Sequence, residues 1–133
     1  ISMSREPREI LQDIKTIALV GISKDTKKDS FVIMKFLIER GYTVFPVNPK
    51  YKDELILDRK CYAGLKNIDE KIDMVEIFRK TEFVYEHTKQ AIDIQAKVLW
   101  TQLNIFCNES KKLAKSAGLE VVMNRCPKIE LQQ

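Results

Sequence analysis

The stretch at residues 16–30 constrains the fold of this chain most strongly. A short apolar run at residues 17–20 stops at Gly21, and a polar loop then leads to an apolar stretch of helix length that begins near Ser30. This pattern predicts a buried strand that feeds a helix through a loop. The first-turn N–H groups of a helix lack intrahelical partners, and the helix dipole favours negative charge there. The stretch therefore suits an anion, although an ordinary strand–loop–helix connection without a ligand fits it equally well.

The rest of the chain continues this alternation of strands and helices. Further strands are predicted at residues 42–47, 73–78, 97–102 and 119–123, and helices at 7–14, 30–40, 82–95 and 108–117. Strands that alternate with helices predict right-handed βαβ units. We therefore expect an α/β fold with a doubly wound, mainly parallel sheet and helices on both faces.

The ends of these elements carry their own signals. Ser30 and Thr81 are predicted to be N-caps, Gly41 suits the position after a helix end, and Pro127 is predicted to end regular structure. Residues 51–60 are charged and aperiodic and predict a loop, with a very short strand at most at 60–62. Residues 1–9 are expected to form a loose N-terminal extension.

Composition limits the classes of protein to consider. The chain has 133 residues, 44% of them apolar and 32% charged, which suits a single globular domain. No apolar run reaches the roughly 20 residues of a membrane span, and no signal peptide is expected. The three widely spaced cysteines indicate free thiols and a cytoplasmic location. The net charge of +4 includes a cluster of Lys24, Lys27 and Lys28, but no basic stripe with interleaved aromatic residues points to nucleic acid.

In a parallel sheet of this kind, ligands bind beyond the carboxyl ends of the strands, at the switch point beside the first strand. This rule places four groups of residues in one crevice: Gly21, Ile22 and Ser23; Asn48, Pro49 and Lys50; Arg79 and Lys80; Gln102 and Leu103. Ser23 and Ser30 either donate hydroxyls to a phosphate or only cap the turn and the helix. Arg79 either binds a phosphate or pairs with Glu82 or Glu109 at the surface.

Several familiar kinds of site do not fit. Gly21 is the only glycine of its loop, so the GxGxxG dinucleotide fingerprint is missing, and Asn48-Pro49 replaces the ribose-binding acid. His87 has no nucleophile partner nearby in the sequence, and no metal-ligand spacing is present. Cys126 follows the last predicted strand and is expected near the mouth of the crevice.

Five segments in order carry a resemblance to a known family: VGIS (20–23), PVNP (46–49), DMVEIFR (73–79), VLWTQL (98–103) and AGLEVVMNRCPKIE (117–130). With them the chain resembles the small stand-alone CoA-binding proteins, which are related to the CoA-binding domain of the succinyl-CoA synthetase alpha subunit. The resemblance implies that residues 1–133 form a single CoA-binding domain. It also implies a Rossmann-like sheet of five mainly parallel strands in the order 3-2-1-4-5.

The same resemblance implies a set of ligand contacts. Gly21, Ile22 and Ser23 would contact the diphosphate of CoA, with Ser30 at the nearby helix N-terminus and Lys28 among the neighbouring cations. The adenosine side would be lined by Val47, Asn48 and Pro49, with Lys50 or Lys52 near the 3′-phosphate. Phe78 and Arg79 would flank the path of the pantetheine or phosphates, and Gln102 lies at the end of the next strand.

Two departures from the synthetase domain affect the predicted function. The first loop, ISKDTKKDS, is not rich in glycine, and nothing in the chain matches the phosphorylated histidine of the synthetase. The sequence therefore predicts non-catalytic binding of coenzyme A or an acyl-CoA, with a protein partner unidentified. The alternatives are a regulatory module that senses NAD or another nucleotide, and a thiol-exchange enzyme that uses Cys126.

Overall fold

The computed structural model describes residues 5–133, in which strands and helices alternate along the chain. The strands are β1 (Thr16–Val20), β2 (Thr43–Val47), β3 (Leu55–Ile56), β4 (Arg59–Lys60), β5 (Met74–Ile77), β6 (Val98–Thr101) and β7 (Glu120–Val122). The helices are α1 (Pro7–Gln12), α2 (Asp29–Glu39), α3 (Thr81–Asp93), α4 (Asn108–Ser116) and α5 (Pro127–Gln132). Short 3-10 helices at Pro49–Tyr51 and Leu65–Asn67 complete the regular structure of the described range.

The main sheet has five parallel strands in the order β2-β1-β5-β6-β7. This arrangement confirms the Rossmann-like α/β fold. Numbered among themselves, however, the five strands have the order 2-1-3-4-5, so the expected order 3-2-1-4-5 is corrected. On the outer side of β2, within residues 5–133, Val47 and Tyr62 form an isolated parallel bridge. The charged segment before Tyr62 folds into the antiparallel hairpin β3–β4.

Helices cover both faces of the sheet. Alternate residues of β1 point to opposite sides, as the pleat of a strand requires. Ile17 and Leu19 pack with α1, α2 and α5, whereas Ala18 and Val20 pack with α3 and α4. The sheet is therefore buried on both faces, which is why its strands are nearly continuous apolar runs.

Several predicted element ends are corrected. Helix α2 begins at Asp29 with Lys28 as its N-cap, so Ser30 lies inside the first turn and is not the cap. Helix α3 begins at Thr81, and Lys80 is its N-cap. Pro127 does not end regular structure but begins α5, because the first helical position needs no N–H donor. Gly41 has φ +96 directly after the C-cap of α2, as expected for a glycine at this position.

Arg5 and α1 lie at the start of the described range. The guanidinium of Arg5 forms ion pairs with Asp13 and Glu120, and α1 starts at Pro7, in agreement with the helix predicted at residues 7–14. Residues 1–4 of the expected loose extension lie outside the described residues. None of the helices within residues 5–133 has the length and apolar character needed to cross a membrane.

Candidate functional site

A cavity of about 210 Å³ lies at the carboxyl ends of β1 and β2, on the side of the sheet covered by α3. Strand β1 has β2 on one side and β5 on the other, so the cavity occupies the switch point of the sheet. Its lining comes from five parts of the chain: Val20 and Gly21; Val47, Asn48 and Pro49; Ala63, Gly64 and Leu65; Arg79; His87 and Gln90. Five of the predicted site residues, Gly21, Val47, Asn48, Pro49 and Arg79, are thus brought together.

Gly21 forms the floor of this crevice and leaves no room for a side chain. Its φ of +92 lies in the left-handed region, and a Cβ there would be 2.8 Å from the carbonyl oxygen of Phe78 and 3.0 Å from Cδ of Arg79. Its N–H donates to the carbonyl of Val47 at 2.9 Å. Gly21 therefore lets the chains that leave β1, β2 and β5 approach one another closely.

Asn48 links the loop after β2 to the loop after β1. Its side-chain amide donates to the carbonyl of Ile22 at 2.8 Å, and its side-chain oxygen accepts from the N–H of Lys50 at 3.0 Å. Ile22 itself is fully buried in the core. Both polar ends of Asn48 are thus engaged within the chain, so this residue shapes the crevice wall.

The loop between β1 and α2 is held by its own side chains. The N–H of Ser23 donates to Oγ of Ser30 at 3.0 Å, and Oγ of Ser23 accepts from the N–H of Asp25 at 3.1 Å. Asp25 in turn accepts from the N–H of Lys27 at 2.9 Å. The two serine hydroxyls therefore organise the loop, and Ser30 is almost fully buried. Within residues 5–133, the N–H groups that remain without an acceptor in this region are those of Ile22, Lys24, Thr26, Asp29 and Ser30.

The cations around the crevice differ in how they are held. Lys24 pairs with Glu54 at 2.6 Å, and this hydrogen bond raises the pKa of the lysine. Lys50 lies over the ring of Tyr51, and Lys28 is exposed at the N-cap of α2. Arg79 forms no ion pair with the described residues, contrary to the alternative of a pair with Glu82 or Glu109. Its guanidinium instead stacks on Phe83, with Cζ 4.2 Å from the ring centroid.

Helix α3 contributes two residues to this cavity that were not predicted from the sequence. His87 and Gln90 line it, and Nδ1 of His87 lies 3.0 Å from the side-chain oxygen of Gln90. Burial lowers the pKa of His87, so its ring is neutral at neutral pH. The signal was present in the spacing, because both residues flank the stripe of Val84, Thr88 and Ala91 that packs on the sheet.

The segment Ala63, Gly64 and Leu65 was also missed. It follows the bridge that adds Tyr62 to the edge of β2, and no sequence pattern marks that bridge.

Two further predicted residues lie beside the cavity without lining it. Phe78 is half-buried at the end of β5 and contributes its backbone to the close approach at Gly21. Gln102 is buried next to it, since its N–H donates to the carbonyl of Ile77 at 3.2 Å. The side-chain oxygen of Gln102 has no hydrogen-bond partner within residues 5–133.

Cys126 does not lie at the mouth of the crevice. It is buried in the core between the sheet and α5, in the same cluster as Trp100. The expected position near the mouth of the crevice is therefore corrected, and the burial of the thiol agrees with a structural role for Cys126. Among the described residues, no group of three or more histidine, cysteine or acidic side chains is arranged to hold a metal ion.

Sequence comparison decides the family of this chain. The profile of a family described as "CoA binding domain" matches residues 15–132. The chain belongs to this CoA-binding domain family. The match spans every strand of the main sheet and the whole crevice, and it supports CoA as the ligand.

Stand-alone relatives have the same extent as this chain. It is 34% identical over 124 residues to the uncharacterized protein YneT of Bacillus subtilis, covering 93% of this chain and 90% of that protein. A hypothetical protein from Pyrococcus horikoshii OT3 is similar in structure, with a TM-score of 0.89 and 41% identity over 99% of this chain and 97% of that one. A structure from Thermus thermophilus has a TM-score of 0.90 and 31% identity, covering 94% of this chain and 93% of that one.

Part of the chain also resembles a much larger enzyme. The ADP-forming acetate–CoA ligase of Methanocaldococcus jannaschii is 35% identical over 63 residues, which cover 47% of this chain but only 9% of the ligase. The similarity therefore concerns one segment of that enzyme and leaves most of it unmatched.

Proposed function

We propose that this protein binds coenzyme A, with the nucleotide part in the crevice at the carboxyl ends of β1, β2 and β5, and performs no chemistry on it. One observation carries the proposal: in a chain of the CoA-binding domain family, the cavity at the switch point is lined by Arg79, a cation that forms no ion pair within residues 5–133. The turn at Gly21 packs the chain ends of β1, β2 and β5 closely together beside this cation, so the ligand finds a shaped crevice and positive charge at the same place.

The phosphates of CoA would be held on the Gly21 side. Arg79 offers a planar set of donors that suits two phosphate oxygens at once. The hydroxyl of Ser23 and the free N–H group of Lys24 lie in the adjoining loop. Lys28 adds a positive charge at the start of α2, where the helix dipole also favours anions.

The adenosine would occupy the opposite wall. Val47, Pro49 and Leu65 supply apolar surface for the base. Nδ1 of the neutral His87 ring donates to the side-chain oxygen of Gln90, so Nε2 is left to accept a hydrogen bond from the ligand. Lys50 or Lys52, in the turn that follows β2, would meet the 3′-phosphate. This phosphate distinguishes CoA from NAD and ATP as a ligand.

The second part of the proposal is that the protein does not catalyse a reaction of the bound CoA. The thiol-exchange alternative needs an accessible thiolate, whereas Cys126 is only 6% exposed. His87 has Gln90 as its side-chain partner and faces no nucleophile among the described residues. The nucleotide-sensing alternative gains no support from the loop, because Gly21 is its only glycine.

Replacement of Arg79 tests the proposal. In calorimetric titrations with CoA, Arg79→Gln should weaken binding about tenfold or more, because a charge-assisted hydrogen bond contributes about 1.5–3 kcal/mol. The loss should shrink as the salt concentration rises, since screening weakens the interaction of a partly exposed cation with phosphate.

Arg40→Gln is the matched control. Arg40 also stacks on a phenylalanine, with Cζ 4.8 Å from the ring of Phe36, but it lies between α2 and β2, at the amino ends of the strands. The Arg40→Gln substitution should change the affinity for CoA less than about twofold, as expected for a surface residue outside the site. Equal affinities of all three proteins for CoA would place the site elsewhere, and a wild-type protein that binds NAD but not CoA would favour the regulatory alternative.

A further inference from the structure

An exposed apolar patch adjoins the proposed CoA site. It consists of Phe83 in the first turn of α3 and of Leu103 and Phe106 in the loop between β6 and α4, and these side chains are 40%, 44% and 51% exposed. Most of the other large apolar side chains in residues 5–133 are buried, so the concentration of three at one edge of the sheet indicates a contact surface.

The patch is continuous with the crevice. Arg79 lines the cavity and stacks on Phe83, so this arginine separates the polar cavity from the apolar patch. The segments 78–80 and 102–107 follow the neighbouring strands β5 and β6 and start next to each other. Ile77 pairs with Thr101 at the strand ends, and the N–H of Gln102 donates to the carbonyl of Ile77. A ligand that extends from Arg79 along this edge therefore reaches Leu103 and Phe106.

The loop that carries two of these residues is fixed in place. Oγ1 of Thr101 donates to the carbonyl of Ile105 at 2.6 Å, and the N–H of Asn104 donates to the side-chain oxygen of Asn124. The N–H of Ile105 donates to the carbonyl of Gln102. Leu103 and Phe106 are thus presented to solvent by a hydrogen-bonded loop, so little ordering entropy is lost when something covers them.

The size and charge of the crevice indicate what covers the patch. A cavity of about 210 Å³ is smaller than the roughly 300–1,000 Å³ of pockets that enclose a drug-sized ligand, so most of a CoA molecule has to lie along the edge of the sheet. The β1–α2 side of that edge carries Lys24, Lys27 and Lys28 and suits phosphates. The β5–β6 side carries apolar side chains beyond Arg79 and suits the part of the molecule that follows the diphosphate, in which the pantetheine arm leads to the acyl group.

We propose that the patch formed by Phe83, Leu103 and Phe106 binds the hydrocarbon chain of an acyl-CoA, so that the ligand of this protein is a CoA thioester with a chain of several carbons. This inference rests on the proposed function, because it needs the nucleotide in the crevice. It differs from that function in assigning a preference among CoA derivatives.

Calorimetric titration with CoA and with octanoyl-CoA tests this preference. We expect octanoyl-CoA to bind at least about tenfold more tightly, which corresponds to the burial of about two methylene groups. In Phe106→Ser the ratio of the two affinities should fall towards one, because the most exposed of the three apolar side chains of the patch is then polar. In Ile129→Ser, which changes a side chain that is 44% exposed on α5, the ratio should stay at the wild-type value.

The outcomes separate the two proposals. If neither ligand binds to the wild-type protein, the proposed function fails. If CoA and octanoyl-CoA bind equally well, the nucleotide site stands and the acyl site is overturned. Sedimentation of the ligand-free protein completes the test: a dimer that Phe106→Ser dissociates would show that the patch contacts a second copy of the chain, and this too would overturn the acyl site.

Discussion

Glu76 is an ionisable residue in the buried interior of the sheet, where the ionised carboxylate is unfavourable. It lies in the middle of β5 between Leu19 of β1 and Trp100 of β6, it is fully buried, and neither carboxyl oxygen has a partner within residues 5–133. Burial, with a smaller contribution from Cys126, raises the pKa of this carboxyl well above its usual value. The folded protein therefore holds Glu76 in its neutral form at a pH where the unfolded chain has released the proton.

This difference makes stability depend on pH. Above the ordinary pKa of a glutamate the folded state binds more protons than the unfolded state, so the free energy of unfolding falls as pH rises towards the folded-state pKa. Glu76→Gln removes this dependence. We expect its stability relative to wild type to increase by about 1 kcal/mol per pH unit between about pH 5 and 7.

Urea denaturation across this pH range measures the effect. Glu39→Gln, an exposed residue of α2, serves as the control and should run parallel to wild type. A constant difference between Glu76→Gln and wild type at all pH values would mean that Glu76 is already ionised in the folded protein.

Single residues also show what the sequence does and does not determine. The apolar runs around Gly21 and Glu76 identify the strands correctly, since a strand buried on both faces needs almost no polar residue. The roles of Ser23, Ser30 and Asn48 were harder to predict. Their polar groups bond to the chain's own loops, and only the folded positions of those loops decide which hydrogen-bond partner lies nearest.

At the level of elements, α5 is the clearest difference between prediction and structure. Pro127 suits both the end of a strand and the first turn of a helix, and the sequence alone does not choose between them. The helix forms because Leu131 packs into the core cluster beside α1 and α2, while Glu130 lies 3.5 Å from Arg125. Tertiary packing therefore decides the structure of this short segment.

This account predicts that the two apolar residues of α5 contribute unequally to stability. Leu131 is 8% exposed and Ile129 is 44% exposed, so they lie on opposite sides of the same helix. Leu131→Ala should lower the free energy of unfolding by about 2 kcal/mol, because it removes buried methylene groups and leaves a cavity. Ile129→Ala should change it by less than about 0.5 kcal/mol.

Chemical denaturation of the two variants compares them directly. Equal losses would show that α5 does not pack on the core as described, and a larger loss in Ile129→Ala would reverse the assignment of its buried face.

At the scale of the whole molecule, topology places the site. The alternation of strands and helices predicts a parallel sheet. In such a sheet the ligand crevice is predicted at the carboxyl end of β1, where the following connections run to opposite faces of the sheet. Gly21, Asn48, Pro49 and Arg79 of the cavity lining were predicted in this way, whereas Ala63, Gly64, His87 and Gln90 were not. The missed residues come from a segment attached by one bridge and from the outer flank of a helix, where local sequence carries little information about the neighbouring strand ends.

The positions of the four glycines allow the central claim to be measured. The chain contains only Gly21, Gly41, Gly64 and Gly118. Gly21 and Gly64 line the crevice at the carboxyl ends of the strands. Gly41 precedes β2 and Gly118 precedes β7, so both lie at the amino ends of the strands. Their amide signals therefore report on the two ends of the parallel strands separately.

Titration of the isotopically labelled protein with CoA, followed by the amide chemical shifts of these glycines, is the most direct test. The proposed binding mode predicts that the signals of Gly21 and Gly64 move with a common saturation curve while those of Gly41 and Gly118 stay in place. Movement confined to Gly41 and Gly118, or no movement at saturating CoA, would contradict a CoA site at the carboxyl ends of the strands.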